Sequence, residues 1–412
     1  MARANLAACP AELSPCDASL TFDAALAIIA AEAQPIGVEH LPIARAGRRV
    51  LAEPVIARID APRADVAAMD GYAVRGDDLE DGRTRFEVVA RSYAGDAALP
   101  SLERGCAVYV ATGAALPAAA AEILPWEIVA ATGDHIVLRG PRGRRHVRER
   151  GSDFRRGDIL LPAGSTIDPR ALAVATAADA ATLAVWQRPA VALIATGNEL
   201  VAPGLARTTA SQVPDSLSDA LELFIRQWGG RPTSRALLAD DPAVIGNAAA
   251  EALAGSNVLV MVGGASLGER DFARAALDRL GLEIRFAKVA IKPGKPVWYG
   301  RVGDRHVLGL PGNPTAALTT ARLFLAPLLA ELGGQGAAAG LRWSNLPLSY
   351  PAPANGDREA FLCATRCDGD VRILDRQSAS SQAMLAQADV LVRRPAAGPA
   401  LAVGDLVPVV QF

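Results

Sequence analysis

The chain has 412 residues, which suggests two to four domains that can each bury a core. With 51% hydrophobic and 21% charged residues, its composition is that of a globular protein. A formal net charge of -2 argues against sequence-independent binding of nucleic acid, although it is compatible with a local basic patch. The most apolar long stretch, residues 172–186, is too short and too polar to cross a membrane, and the N-terminus has no apolar signal region. The 5 cysteines are scattered, which predicts neither disulfides nor a zinc site and favours a cytoplasmic location.

The first predicted elements are a leader and two helices. Residues 1–19 have little pattern and are expected to form a frayed leader. The apolar spacing of residues 21–34 predicts an amphipathic helix that stops before Pro35. A second helix is predicted over residues 168–183. The helical connecting domain that these helices predict comprises residues 20–58 and 148–187.

Between the two helices lie β-like runs separated by Gly, Pro and Asp. These runs are residues 86–90, 107–110, 122–124 and 135–138. Their spacing predicts a small β-rich domain over residues 59–147, inserted into the connecting domain. Within it, Asp70-Gly71 is typical of a turn. We expect Met69 and Tyr72 to pack in the core, with a ligand-facing role as the alternative.

From residue 188 onwards, predicted strands alternate with predicted helices. Residues 190–195 and 258–262 are continuously apolar, and each run is followed by glycine and then by a helical pattern. This alternation predicts βαβ units, a mainly parallel sheet and ligand binding at the carboxyl ends of its strands. The α/β domain is expected over residues 188–332. Short alternating runs in the tail predict a small β domain over residues 338–412.

Two loops of this α/β domain carry candidate ligand groups on a glycine-containing backbone. Gly197 allows a tight turn, and Glu199 after the first strand could bind a metal ion or orient a hydroxyl group, with a solvated turn acid as the equal alternative. Before the last long helix, Asn313 fits the N-cap and Pro314 the first helical position, which a purely structural role explains. Gly312 could also let backbone N–H groups face an anion.

The loop after the second strand has the composition of an anion-binding turn. Gly263 and Gly264 would let backbone N–H groups approach an anion at a helix N-terminus, and Ser266 adds a hydroxyl group. Asp271 could bind Mg²⁺, or it could simply favour the positive end of the helix dipole. An ordinary strand-to-helix turn is therefore the alternative interpretation of this loop.

A further loop, residues 288–296, carries three lysines within eight residues and is called the lysine loop. Lys288, Lys292 and Lys295 stand in a segment whose backbone is restricted by Pro293 and Pro296. A rigid loop that presents amines suits phosphate or molybdate, which are both tetrahedral oxyanions. Lysine clusters are more often solvated, and the proline spacing is what makes this one unusual.

Several catalytic motifs are missing from the sequence. It contains no phosphate-binding loop of the Gly-x4-Gly-Lys-Ser/Thr type, no dinucleotide-binding glycine loop and no nucleophile elbow. Its 4 histidines are widely spaced. These absences argue against covalent nucleophilic catalysis.

In their order along the chain, seven segments resemble the MoeA and gephyrin E-domain family of molybdopterin molybdenumtransferases. The segments are Met69-Asp70-Gly71-Tyr72-Ala73, Ala111-Thr112-Gly113-Ala114, Gly151-Ser152-Asp153, Ala195-Thr196-Gly197-Asn198-Glu199-Leu200, Gly263-Gly264-Ala265-Ser266, Lys292-Pro293-Gly294-Lys295-Pro296 and Leu310-Pro311-Gly312-Asn313-Pro314. Their joint order and spacing are specific, and the resemblance covers nearly the whole chain after the leader. It implies a homodimer of four-domain protomers: a helical connecting domain, an inserted β-rich domain, a parallel-sheet α/β molybdopterin-binding domain and a small C-terminal β domain.

The resemblance also implies a reaction and a set of site residues. The family reaction inserts molybdate into adenylated molybdopterin and releases AMP, with Mg²⁺ or a similar divalent cation. The positions it links to activity are Asp70, Thr112, Glu199, Asp271, Lys288 and Lys292. Those expected to bind the metal are Glu199, Asp271 and Asp240 or Asp241. Those expected to bind the pterin or nucleotide are Thr196, Gly197, Gly263, Gly264, Ser266, Lys295, Pro311, Gly312 and Asn313.

In the family dimer, the active cleft lies between the α/β domain of one protomer and the β-rich domain of the other. Asp70 and Thr112 would therefore face the partner's α/β loops. Two positions depart from the family pattern, because Asn198 replaces a usual Asp and Leu217 a usual Asn, and these changes could weaken pterin or nucleotide contacts.

Two alternative functions stay open. One is the adenylyltransferase step that makes adenylated molybdopterin, which would release pyrophosphate instead of AMP. The other is a non-catalytic scaffold, since the gephyrin E domain also binds receptor peptides. An adenylyltransferase and a molybdoenzyme are the expected protein partners. The lysines do not distinguish molybdate from tungstate.

Overall fold

The computed structural model describes residues 19–97, 101–208, 210–263 and 272–412. The chain divides into two compact units. The first unit comprises the residues up to 39 together with 48–52 and 185–412, and the second comprises residues 40–47 and 53–184. The predicted leader lies outside the described residues apart from Ser19.

The secondary structure of the described ranges alternates between short helices and strands. The helices are α1 (Phe22–Glu32), α2 (Gly76–Glu80), α3 (Pro169–Ala177), α4 (Ser218–Gln227), α5 (Pro242–Ala254), α6 (Phe272–Asp278), α7 (Pro314–Thr320), α8 (Ala326–Leu332) and α9 (Gln382–Leu385). The strands of the first half are β1 (Val38–Pro42), β2 (Val55–Ile56), β3 (Val66–Ala67), β4 (Gly71–Arg75), β5 (Arg85–Ser92), β6 (Cys106–Val110), β7 (Ala120–Pro125), β8 (Val129–Thr132), β9 (His135–Leu138), β10 (Val147–Arg148), β11 (Ile159–Leu161) and β12 (Thr182–Trp186). The strands of the second half are β13 (Ala190–Thr196), β14 (Leu200–Val201), β15 (Val213–Pro214), β16 (Arg231–Leu238), β17 (Val258–Val262), β18 (Leu282–Phe286), β19 (Ile291–Lys292), β20 (Trp298–Val302), β21 (Arg305–Leu310), β22 (Ser344–Pro347), β23 (Glu359–Cys367), β24 (Asp370–Ile373), β25 (Val390–Arg394) and β26 (Leu406–Gln411).

The second unit is built on a six-stranded mixed sheet with the order β7-β4-β6-β5-β9-β8. β5 and β6 run parallel, and the other neighbours run antiparallel. Side chains alternate between two apolar clusters: Ala73 and Val108 belong to one, and Phe86 and Leu124 to the other. The four β-like runs predicted from the sequence all lie in strands of this sheet.

The prediction of a turn at Asp70-Gly71 is wrong for the glycine. Gly71 is the first residue of β4, where it pairs with both β6 and β7. A side chain at this position would collide with the carbonyl oxygen of Leu124. The glycine is therefore required by the close approach of a neighbouring strand, which local sequence does not reveal.

The predicted connecting segments contain more than helices. α3 begins at the N-cap Asp168, whose carboxylate accepts the N–H of Ala171 at 2.8 Å. It ends at Ala177, not at residue 183 as predicted, because Asp179 takes a positive φ of 63° and β12 begins at Thr182. Short antiparallel pairs, β2 with β11 and β3 with β10, complete this part of the second unit.

The first unit contains a six-stranded α/β sheet with the order β16-β13-β17-β21-β20-β18. The first four strands are parallel, whereas β20 and β18 are antiparallel to their neighbours. The prediction of a parallel sheet is thus only partly right. β20 and β21 are joined by the two-residue turn Gly303-Asp304, and a connection this short can only link antiparallel strands. The chain therefore has a multidomain α/β fold with mixed sheets.

A long helical stretch forms the centre of the first unit. α7 and α8 are continuous through a π-helical turn at Ala321–Leu325. By length and composition the 19 residues Pro314–Leu332 would suffice for a membrane span, but 89% of an 18-residue window within this stretch is buried inside the structure, as in the core helix of a globular domain. α1 packs on this stretch through Phe22, whose ring centroid lies 5.6 Å from that of Phe324.

The first unit also contains the C-terminal sheet, with the order β19-β23-β25-β26-β22 and with β24 paired to β23. Its edge strand β19, Ile291–Lys292, comes from the lysine loop and pairs in parallel with β23. Arg322 of the π-helical turn is buried and donates to the carbonyl oxygens of Gly340 and, at 2.6 Å, Gln411. Its guanidinium lies 4.1 Å from the ring centroid of Trp228, and burial lowers its pKa to about 10. Arg322 thus ties the core helix to the last strand.

Candidate functional site

A cleft of about 660 Å³ opens at the carboxyl ends of the parallel strands of the first unit. Its walls are the loops that follow β13, β15, β16, β17 and β21, together with one residue of the lysine loop and one of α9. The carboxyl edge of a parallel sheet is the usual ligand site of α/β folds. The segments singled out in the sequence therefore converge at the position that the fold predicts.

Glu199 enters the cleft on a loop that glycine makes possible. Thr196 ends β13 and is buried, and the next residue, Gly197, has a positive φ of 155°. A Cβ at Gly197 would lie 2.9 Å from the carboxylate oxygens of Glu199, so that carboxylate folds back over the glycine. No described residue donates a hydrogen bond to it. Its oxygens are therefore available to a ligand.

The neighbouring acids Asp240 and Asp241 have different surroundings. Asp240 lines the cleft, and its backbone N–H donates to Oδ1 of Asn198 at 3.1 Å. Asp241 is the N-cap of α5, and its carboxylate accepts the N–H groups of Ala243 at 2.7 Å and Val244 at 3.2 Å. Of the two alternatives left open by the sequence, Asp240 is thus the acid in the cleft.

Asp215 is a third cleft acid that sequence reasoning missed as a site residue. One of its oxygens accepts the N–H groups of Leu217 and Ser218 at 3.1 Å each, which satisfies the start of α4. The predicted departure at Leu217 also lies here: Leu217 is buried in the core and lines the cleft. The sequence drew attention to this segment only through Leu217, expected near the pterin or nucleotide, and not through Asp215.

Two glycine loops bring their backbones together at the cleft floor. A Cβ at Gly263, which has a φ of 88°, would lie 2.5 Å from the carbonyl oxygen of Thr196. A Cβ at Gly312 would lie 3.6 Å from the Cα of Gly263. Asn313 is the N-cap of α7, as predicted, but its side chain makes no capping bond and lines the cleft with Pro311. Gly264, Ser266 and Asp271 of the predicted site lie outside the described residues.

The lysine loop borders the cleft through Pro296 and not through its lysines, none of which is among the described lining residues. Lys292 and Lys295 are exposed, and Lys288 is half-buried. The loop is closed by a bond from the N–H of Val289 to the carbonyl oxygen of Lys295, at 3.0 Å. A hydrogen bond thus closes the backbone of the loop, whereas its three amines do not line the cleft.

Gln382 reaches the cleft from the C-terminal part of the chain, and sequence reasoning missed it. Its Nε2 donates to the Oγ of Ser216 at 3.3 Å. The segment before it is fixed to α7, since Thr315 donates its N–H to the carbonyl oxygen of Ala379 and its hydroxyl to that of Ser381. The sequence signal was only a short run of serines, which is common in loops.

Asp70 and Thr112 form a pair in the second unit. Oδ1 of Asp70 accepts both the backbone N–H and the hydroxyl of Thr112, each at 2.7 Å. The backbone hydrogen bond, followed by the hydroxyl bond, lowers the pKa of Asp70 below its usual value. The two residues stand 42 positions apart in the sequence, but they are hydrogen-bonded in the structure. Thr112 thereby holds the Asp70 carboxylate in a fixed orientation.

The described residues contribute carboxylates to the cleft but not a complete metal site. Glu199, Asp240 and Asp215 supply oxygen ligands, the type that Mg²⁺ prefers. Within the described ranges, no group of three His, Cys, Asp or Glu side chains is arranged to hold a metal ion. The chemistry of the donors fits a hard divalent cation, with Glu199 and Asp240 as the available ligands.

Comparison with known proteins agrees with this architecture. A family model for the MoeA N-terminal region, domains I and II, matches residues 20–178, and one described as "Probable molybdopterin binding domain" matches residues 192–331. The molybdopterin molybdenumtransferases of Haemophilus influenzae and Synechococcus elongatus are 32% and 35% identical, over 73% and 75% of this chain and 74% and 80% of theirs. A crystal structure of a molybdopterin biosynthesis MoeA protein from Pyrococcus horikoshii, 29% identical, has a TM-score of 0.82 over 96% of this chain and 99% of that one. The chain belongs to the molybdopterin molybdenumtransferase family.

Proposed function

We propose that this protein inserts molybdate into adenylated molybdopterin and releases AMP, as a step of molybdenum cofactor synthesis. Membership of the family supports this function, and so does the cleft at the carboxyl edge of the sheet. The observation that carries the proposal is that one cleft contains both the Glu199 carboxylate, which has no described hydrogen-bond donor, and the glycine backbones at Gly263 and Gly312. Carboxylates suit a cation and backbone N–H groups suit phosphate, so one cleft can hold both parts of a metal–phosphoanhydride ligand.

The chain's own groups would act mainly by positioning. Glu199 and Asp240 would hold the divalent cation, and the cation when bound would offset the charge of the anhydride. The backbone at Gly263, Gly312 and Asn313 would orient the phosphates. Water attacks the anhydride phosphorus and AMP leaves, and the two dithiolene sulfurs of the pterin replace two oxygens of molybdate, which leave as water. Little covalent chemistry is asked of the protein, as is usual for phosphoryl transfer.

The lysine loop would supply positive charge beside the cleft. Lys288, Lys292 and Lys295 stand on a closed backbone whose Pro296 lines the cleft. We propose that they attract molybdate and the terminal phosphate, with Lys292 and Lys295 turning inwards when the oxyanion binds. An oxyanion that draws two exposed amines together explains why a rigid loop would carry them on its surface.

The remaining expectations from the resemblance belong to the same proposal. The protein would act as a homodimer in the cytoplasm, where Asp70 and Thr112 would face the partner's cleft. Mg²⁺ would be the divalent cation, and an adenylyltransferase would deliver the substrate. The predicted site residues Gly264, Ser266 and Asp271 would complete the anion loop and the metal ligands.

The test is a turnover assay with purified protein, adenylated molybdopterin, Mg²⁺ and molybdate. We expect AMP release and active cofactor only when molybdate is present, and a large but measurable fall of both in Asp240→Asn. Asp241→Asn is the matched control, because Asn also caps a helix and Asp241 is not among the residues that line the cleft. Pyrophosphate release would instead indicate the adenylyltransferase step, and tight binding of the adenylated pterin without AMP release would indicate a non-catalytic protein.

A further inference from the structure

We propose that Asn198 is a positioning residue that fixes the Asp240 carboxylate at the cleft, an inference that rests on the proposed function and deepens it. Asn198 does not itself line the cleft, whereas Asp240 does. Its effect on the reaction would therefore pass through Asp240.

Two reciprocal hydrogen bonds join the residues. The backbone N–H of Asp240 donates to Oδ1 of Asn198 at 3.1 Å, and the backbone N–H of Asn198 donates to Oδ2 of Asp240 at 3.4 Å. A third bond, from the N–H of Gly197 to the carbonyl oxygen of Leu238 at 3.1 Å, holds the same two loops together. The loop after β13 is thereby fastened to the loop after β16, the neighbouring parallel strand.

The two oxygens of the Asp240 carboxylate differ in their hydrogen bonding. Oδ2 accepts the N–H of Asn198, and Oδ1 has no hydrogen-bond donor among the described residues. The carboxylate therefore has one oxygen that sets its direction and one left for a ligand. Asp240 is half-buried, and the carboxylate of the next residue, Asp241, is bonded to the first turn of α5. Both acidic side chains are therefore restricted in orientation.

The amide side chain of Asn198 holds the backbone of Asp240, and so keeps its carboxylate within reach of the Asn198 backbone N–H, without adding charge. Its oxygen accepts the N–H of Asp240 as a carboxylate oxygen would. A carboxylate at position 198 would instead add negative charge beside Asp240 and Glu199 and repel both. Asn198 thus supplies the hydrogen bond without adding a charge beside Asp240 and Glu199.

The proposal is tested by a double-mutant cycle with Asn198→Ala and Asp240→Ala, assayed for AMP release at saturating and limiting adenylated molybdopterin. If Asn198 acts through Asp240, Asn198→Ala lowers kcat about ten-fold and changes KM little, the size typical for losing a residue that orients a ligand group. In the Asp240→Ala background the same substitution has almost no further effect. A second full ten-fold loss in that background would overturn the proposal.

The conservative variant separates the hydrogen bond from the charge. Asn198→Asp keeps an acceptor for the N–H of Asp240, so we expect it to restore kcat to within about three-fold of the wild-type value. A kcat for Asn198→Asp as low as that of Asn198→Ala would contradict an acceptor role.

Asn257→Ala is the matched structural control. Oδ1 of Asn257 accepts the N–H of Ala190 at 2.9 Å, the same kind of bond at the opposite end of β13. We expect this variant to lower Tm at least as much as Asn198→Ala while leaving kcat unchanged. A fall of kcat in Asn257→Ala as large as in Asn198→Ala would mean that any loosening of β13 suffices, and the positioning role would be wrong.

Hydrogen exchange keeps this inference distinct from the proposed function. Asn198→Ala should speed amide exchange at Asp240 at least ten-fold, with the exchange of Ala190 unchanged, whether or not the protein turns over. If the wild-type protein released no AMP, the proposed function would fail, and the same cycle read by calorimetric binding of adenylated molybdopterin would decide the role of Asn198. Unchanged exchange at Asp240 would overturn the proposal in either case.

Discussion

Asp70 of the second unit accepts two hydrogen bonds from Thr112 on a single oxygen, whereas the Glu199 carboxylate in the first unit accepts none from any described residue. Both acids were predicted as site residues from the same resemblance. Their surroundings differ because Asp70 is held by the side chain and backbone of Thr112, in the turn after β6, while Glu199 folds over a glycine. A carboxylate already bonded by the protein is fixed in direction, and one without donors is free to bind a ligand.

The largest effect should come from the free carboxylate. Glu199→Gln keeps the shape of the side chain and removes its charge, so we expect kcat/KM for AMP release to fall about 100-fold or more. Because no described residue donates a hydrogen bond to the Glu199 carboxylate, Tm should stay within about 1 °C of wild type. Steady-state assays and calorimetry measure the two quantities. Activity above a third of the wild-type level would remove Glu199 from the site.

The close-packed backbone of the first unit can be tested at a glycine. Gly294 has a φ of 106°, and a Cβ there would collide with the Cγ2 of Thr320. Gly294→Ala should lower the free energy of unfolding by about 3 kcal/mol in urea denaturation, through strain and overpacking together.

Gly303→Ala is the control for this experiment, because Gly303 also has a positive φ, of 58°, but open space around it. It should cost only about 1 kcal/mol, the strain alone. Equal losses in the two variants would show that the contact with Thr320 contributes nothing.

Adjacent acids provide a comparison within a single loop. Asp241→Ala removes the cap of α5 and should lower the free energy of unfolding by about 1 kcal/mol without changing AMP release. Asp240→Asn should show the reverse pattern, with lower activity and unchanged stability. Chemical denaturation and turnover assays on both variants test this, and an exchange of the two patterns would reverse the assignment.

The smallest effect is expected at the bonded acid. The pKa of Asp70 is lowered in the folded protein, so its pair with Thr112 stabilises the fold above the ordinary Asp pKa of 3.8, and that contribution is lost as pH falls through the lower folded value. Thr112→Val removes the hydroxyl bond but leaves the backbone bond, which is the larger cause. We therefore expect a partial rise in the pKa of Asp70, measured by NMR titration of its carboxyl carbon.

Asp60 serves as the internal control for that titration, since its pKa is lowered by the N–H of Arg156 and the side chain of Arg150 instead. Its titration should not change in Thr112→Val. A rise of the Asp70 pKa all the way to 3.8 would mean that the backbone bond has little effect.

Local rules were enough to predict the parts of the fold that depend on neighbouring residues. Continuous apolar runs predicted β13 and β17, and the order of Asn313 and Pro314 predicted the start of α7. Gly71 was misinterpreted because its requirement comes from the carbonyl oxygen of Leu124 on another strand. The hairpin of β20 and β21 was missed because its signal is a single two-residue turn.

The sequence predicted a site residue correctly placed in the cleft where the turn-forming glycine and the acid lie in the same loop. Glu199 was found in this way, but consecutive acids such as Asp240 and Asp241 have the same local signal, and only the direction of α5 separates them. Gln382 reaches the cleft through the packing of the C-terminal segment on α7, which no spacing in the sequence encodes. The lysine loop was predicted to be rigid, but backbone rigidity does not determine where its amines point.

The packing of α1 has a consequence for synthesis of the chain. The ring of Phe22 packs edge-to-face against Phe324 and Phe361, which lie near the other end of the sequence. All residues of the second unit leave the ribosome before those partners exist, so that unit can complete its sheet while the apolar face of α1 is still exposed. Nascent chains arrested before residue 324 should therefore carry a folded second unit and an α1 segment whose apolar side chains still lack these partners.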